Sequence, residues 1–158
     1  MSTKAARVLS SVDELRDTAE LVDILYYEVS GRRHDGFSRN GSGCRDDAAS
    51  DDDTAEFELM QRLEGDTIDI RLRAHVVTAQ GRLTADVAAV FLTPEQVSVP
   101  PQVVSEFAKT VATPIVRPYL REAIHQTAVR LGIDAPLLSL LDTRERTFWQ
   151  MKRRDIAH

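Results

Sequence analysis

The sequence predicts an α+β domain in which an antiparallel meander precedes one long helix. Three observations carry this. Residues 67–79 and 82–92 are two consecutive runs that alternate apolar and polar side chains, as half-buried strands do. Gln80-Gly81 between them is a two-residue turn signal. Beyond Thr113 the period changes: apolar residues recur at Ile115, Val116, Leu120, Ala123, Ile124, Ala128 and Leu131, the spacing of one buried helix face.

The elements follow in order. Residues 1–20 form an N-terminal extension. Ser11-Val12-Asp13-Glu14 has the spacing of a capping box, so a short helix is expected over about 12–20, with Val12, Leu15 and Ala19 inward. Residues 21–30 are rich in β-branched and aromatic types and read as a strand. Val22, Ile24 and Tyr26 are expected on one face, and Leu25, Tyr27 and Val29 on the other. Both faces are apolar, which predicts cover on both, one of them by a second subunit.

Residues 31–53 are different. They hold Gly36, Gly41, Gly43 and an acidic run from Asp46 to Asp53, and Phe37 is their one large apolar residue. Such a segment cannot offset its ordering entropy and reads as a flexible loop. The acidic run is a metal site, a partner site or a solvated linker, and the linker is the simplest of the three. Residues 55–63 then alternate through Ala55, Phe57 and Leu59 as a further strand. On the strand over 67–79, Ile68, Ile70, Leu72, Ala74 and Val76 share the apolar face. On the strand over 82–92 that face carries Leu83, Ala85, Val87, Ala89 and Phe91. The result is a meander with one apolar face.

An amphipathic stretch over 103–111 leads into the helix. Pro114 and Pro118 stand four apart at its start. A proline inside a helix costs roughly 3 kcal/mol, because a donor is lost and the ring strikes the preceding turn. The spacing therefore predicts a kink or a restart, with Thr113 as the cap. Gly132 ends the helix and Pro136 prevents its continuation. Residues 143–158 form a mixed tail, with Phe148, Trp149 and Met151 beside Lys152, Arg153 and Arg154.

Composition narrows the function. The chain has 158 residues, 42% apolar and 28% charged, enough for one soluble domain. Its net charge of −5 argues against a nucleic-acid partner. No run approaches the roughly 20 apolar residues of a membrane span, and the first residues lack the apolar core of a secretory signal. Cys44 stands alone, cannot form an internal disulfide and fits a reducing cytoplasm. No GxSxG, Walker A, GxGxxG or HExxH motif is present. Glu122 and His125 make one ExxH pair, where a di-iron site needs two such helices. His34, His75 and His158 are scattered, and Cys44 has no histidine near it in sequence. The residues point to a binding module with no cofactor and no metal, not to an enzyme.

Pro118-Tyr119-Leu120-Arg121-Glu122-Ala123-Ile124 resembles the PYxRE helix of SecB-like chaperones, and Ala135-Pro136 followed by apolar residues 137–141 resembles that family's ending. The resemblance covers residues 21–142, and the order of elements agrees with it. It implies a four-stranded antiparallel sheet, with the long kinked helix and a short C-terminal helix packed on one face. It also implies subunits paired into a dimer of dimers, and an ATP-independent holdase for unfolded polypeptides. Pro118, Tyr119, Arg121 and Glu122 match the family helix as scaffold. Groove-lining positions carried over by the resemblance are Ala55, Phe57 and Leu59 on the second strand and Leu120, Ala123, Ile124 and Thr127 on the helix. Ordinary core packing is the alternative at each. Export members present outer-sheet acids to the translocase motor. Here Asp23 fits, whereas Ala89 and Tyr27 stand where acids are expected. A second branch shields antitoxins, so an antitoxin and the export motor are both candidate partners. A competing reading is a small-molecule-binding domain whose sheet and helix enclose an apolar cavity.

Overall fold

The computed structural model describes residues 5–35, 54–134 and 149–150. The elements are β1 (Arg7–Val8), α1 (Val12–Thr18), β2 (Glu20–Arg33), β3 (Thr54–Glu64), β4 (Thr67–Val77), β5 (Gly81–Leu92), β6 (Val97–Ser98), α2 (Pro101–Phe107), a π-helical segment (Ala108–Ala112), α3 (Thr113–Leu131) and β7 (Trp149–Gln150). The four long strands form the expected antiparallel sheet, in the order β2-β5-β4-β3. β7 pairs with β3 in parallel at Phe57 and Glu58. β1 and β6 make a separate parallel pair. The short C-terminal helix expected over 137–141, the acidic run and Cys44 lie outside the described residues.

Strand alternation decides which face is covered. Ile68, Ile70, Leu72, Ala74 and Val76 of β4 are at most 1% exposed. They pair with Phe91, Ala89, Val87, Ala85 and Leu83 of β5, which are also buried. Val116, Leu120, Ile124 and Ala128 of α3 close this face from above. α1 packs on α2 and drives Leu15 into the same core. Its cap is as expected, with Ser11 accepting from the Glu14 N–H at 3.2 Å.

β2 departs from simple alternation. It runs on through Arg33, three residues past the expected end, and it bulges twice: Val22 and Tyr27 have no partner on β5. A bulge inserts one residue and shifts every later side chain to the opposite face. Val29 therefore pairs with Ala85 and lies on the helix side with Ile24 and Tyr26, not with Leu25 and Tyr27 as the spacing alone predicts. Tyr27 stays on the outer side, where the Arg71 guanidinium stacks 4.0 Å from its ring centre.

Two further expectations are corrected. The turn between β4 and β5 is four residues, Thr78 to Gly81. The Thr78 hydroxyl accepts from the N–H groups of Gln80 and Gly81 at 3.1 and 3.2 Å and donates to the Gly81 carbonyl, so a threonine side chain organises the turn. The helix, in turn, does not restart at Thr113. Backbone angles stay helical from Phe107 to Thr113 across the π segment. The Thr113 N–H and hydroxyl both donate to the Ala108 carbonyl, the hydroxyl at 2.7 Å. Thr113 thus anchors a widened turn and is not a cap. Pro114 falls in the first turn of α3, and only Pro118 lies in its interior.

The end of α3 is as expected. Gly132 is left-handed at φ 66°, and the Ile133 N–H donates back to the Ala128 carbonyl at 2.9 Å. Asp134 and Gln80 then exchange two hydrogen bonds, tying the helix end to the β4–β5 turn. Gly81 makes that approach possible. A Cβ there would lie 2.3 Å from the Arg32 carbonyl oxygen and 2.8 Å from Ile133 Cδ1. Gly81→Ala is expected to lower stability by about 1–3 kcal/mol through overpacking, read as a lower urea midpoint. An unchanged midpoint would show that the β2–β5 end is free to move apart.

Candidate functional site

The candidate client residues divide between the two sides of the sheet, β2 at one edge and β3, bordered by β7, at the other. On β3, Ala55, Phe57 and Leu59 face the helix side, opposite Val76, Ala74 and Leu72 of β4. Leu59 is buried, while Ala55 and Phe57 are half-buried at the rim of the core. Gln61 of the same strand donates to the Ser105 hydroxyl at 3.0 Å and holds α2 over this end.

At the other edge, an open groove of about 280 Å³ runs between β2 and α3. Tyr26 and Val29 form one side, and Glu122, Ala123, Gln126, Thr127 and Arg130 form the other. Its floor consists of small side chains. The Thr127 hydroxyl is turned to the Ala123 carbonyl at 2.8 Å. Gly31 lets the helix settle close, because a Cβ there would meet Thr127 Cγ2 at 2.8 Å. Burial, and after it the Glu122 and Tyr119 neighbours, raise the Tyr26 hydroxyl above the usual phenol range.

The seven carried-over positions therefore do not form one groove. Phe57 and Ala123 are separated by the width of the sheet, about 14 Å at three strand spacings. Leu120 and Ile124 are 0% and 1% exposed and hold α3 to the sheet; neither offers surface. Ala123 is nearly buried and Thr127 half-buried, and both belong to the β2 groove. Of the motif residues, Pro118, Tyr119 and Glu122 lie on the exposed side of α3, and Arg121 is half-buried. Tyr26, Val29, Gln126 and Arg130 complete the groove and were not candidates from sequence, because the β2 bulges hide Val29 from a period-two reading.

The outer sheet face is polar at its centre. Asp86 is 1% exposed and takes two 2.6 Å hydrogen bonds from Arg71. Arg73 reaches Glu28 at 3.1 Å, and His75 shares a 2.8 Å hydrogen bond with Thr84. A lone aspartate within LTADVAAVF was the available signal for this buried pair. Ala89 is buried on the helix side, so it is not an outer-face position where an acid would be displayed. Among the described residues no group of three His, Cys, Asp or Glu side chains converges as metal ligands would. The β2–α3 groove is open and mixed in lining, with Glu122, Gln126, Thr127 and Arg130 beside Tyr26, Val29 and Ala123.

No family model matches the sequence. The chain is 33% identical over 136 residues to the SecB-like chaperone SmegB of Mycolicibacterium smegmatis, a match that spans 86% of this chain and 84% of that protein. The chain belongs to the SecB-like chaperone family. Its fold is that of the Mycobacterium tuberculosis SecB-like chaperone solved in complex with a ChAD peptide from the HigA1 antitoxin. That likeness has a TM-score of 0.60 at 18% identity and covers 77% of this chain and 86% of that one.

Proposed function

We propose that this protein is an ATP-independent holdase that works as an assembly of its own copies in the cytoplasm and shields an aggregation-prone polypeptide, an antitoxin tail foremost. It acts by binding, without turnover. The observation that carries this is the apolar surface of β2. Leu21, Val22, Leu25, Tyr26, Tyr27 and Val29 are each at least 40% exposed on one edge strand. A soluble monomer seldom leaves so contiguous a patch wet, and an edge strand with free backbone groups invites a second chain. No described helix is long and apolar enough to cross a membrane. The antitoxin peptide bound to the structural relative supports a polypeptide client, and nothing comparable supports the export motor.

The two sides of the sheet take different partners in this reading. The β2 edge meets another copy, towards a dimer of dimers. The helix-side face of β3 at Ala55 and Phe57, bordered by β7, receives client. Light scattering at micromolar concentration is expected to give a dimer or tetramer mass, and a monomer mass removes the assembly. Near-stoichiometric protein is expected to suppress aggregation of a denatured client without nucleotide. Unhindered aggregation sinks the chaperone reading, whatever the mass.

A further inference from the structure

β3 has a neighbour on each side, and the two are unequal. On one side all of its 11 residues pair with β4. On the other, β7 pairs with two of them in parallel, Trp149 with Phe57 and Gln150 with Glu58. Phe57 is thus both the residue proposed above to meet client and the residue beside which the chain lays its own strand.

A two-residue strand is short against the usual five or six, about one third of the common length. Parallel pairing is also slightly weaker per residue than antiparallel. Most positions on that side of β3 have no partner strand among the described residues. An incoming extended chain can therefore form a longer ladder there than β7 does. A permanent cover would protect more of the strand. The sequence around β7 also suits a substitute for client. Phe148-Trp149 and Tyr26-Tyr27 are the two adjacent aromatic pairs of the chain, and Met151 follows the first. Lys152, Arg153 and Arg154 come next. β3 is acidic, with Glu56, Glu58 and Glu64 against Arg62, so opposite charge draws the basic segment to this strand.

We propose that the segment at Trp149–Gln150 is a displaceable stand-in for client. It occupies the free side of β3 beside Phe57 until an extended polypeptide takes the same place as an added strand. This rests on the client-binding reading above. It adds the backbone of β3 as the receiving surface and the chain's own segment as the competitor.

The test compares the full chain with its double variant, Trp149→Pro with Gln150→Pro. Proline has no N–H to donate to a ladder, and changing both residues removes the pairing whichever of them donates. The probe is a reduced and alkylated unfolded protein that lacks tryptophan and carries a dye. The variant is expected to bind it about three- to tenfold more tightly, because a site open only part of the time loses apparent affinity in proportion. Trp149 is the one tryptophan of the chain, so fluorescence in the wild type follows this strand alone. Its quenching by acrylamide is expected to rise over the probe concentrations at which binding occurs. Urea midpoints of the two proteins are expected to match. Equal affinities, or quenching that stays constant as the probe binds, overturn the inference and leave the holdase reading standing. A variant that binds less tightly makes β7 part of the client surface, and a lowered urea midpoint makes it a fixed cover. Either result also overturns the inference. If neither protein binds the probe, the holdase reading falls and the inference falls with it.

Discussion

Phe107→Ala is expected to lower the unfolding free energy by about 3–5 kcal/mol and the melting temperature by roughly 10 °C. Phe107 is fully buried where α2 passes into the π segment. Its ring meets Phe91 of β5 edge to face, with centres 5.0 Å apart and planes at 74°. Such a pair adds about 0.5–1.5 kcal/mol beyond the area it buries. The site has little freedom to collapse after truncation. Ala108 and Ala112 beside it are already small and buried, and β5 below is held by strands on both sides. Denaturation must be followed at fixed protein concentration, because assembly adds to apparent stability. A loss under about 1 kcal/mol would show that the π turn rewinds to fill the space, and the helix junction would then be soft.

The fold was legible where one face is buried and the chain is regular. β4 and β5 alternate without interruption, so their register followed from side-chain chemistry alone. The Ser11 cap and the Gly132 stop are local signals with local causes, and both stand where the sequence puts them. The failures were of another kind. A bulge has no residue signature at Val22 or Tyr27, yet it reverses the facing of Val29. The π segment was hidden because Thr113 and Pro114 also suit a helix start. The helical backbone across Phe107 to Thr113 and the bonds from the Thr113 N–H and hydroxyl to the Ala108 carbonyl distinguish the two cases.

The site was less legible than the fold because it depends on strand order. Periodicity placed Phe57 on an apolar face and the resemblance put Thr127 in the groove, but neither says on which side of the sheet each stands. The order β2-β5-β4-β3-β7 sets them on opposite sides of the sheet, with Phe57 one strand in from the β7 edge. Burial had the same limit. Leu59, Leu120 and Ile124 are chemically suited to line a groove, and they are among the residues that build the core.

Phe57→Ser is expected to abolish suppression of client aggregation while sparing fold and assembly. The residue is half-buried on the helix side of β3, at the rim of the core. An aromatic side chain buries about 150–250 Å², which at about 25 cal/mol per Å² amounts to roughly 4–6 kcal/mol as an upper bound. Ordering a flexible client costs an estimated 4–15 kcal/mol, so one copy's patch holds a client weakly. Several patches around one long chain raise the effective concentration and add about 10²–10⁴ in avidity. Losing the aromatic from every copy therefore removes the whole effect rather than a fraction of it. For the same reason a short peptide should bind far less tightly than an unfolded protein. Leu59 cannot serve this test: it is 5% exposed, and replacing it with serine opens a core cavity at about 2–5 kcal/mol. The comparison of the two variants carries the argument. Leu59→Ser should lose stability first, and Phe57→Ser should lose activity first. If Phe57→Ser unfolds like Leu59→Ser, Phe57 is core. If it folds, assembles and still protects clients, the β3 rim is not where they bind.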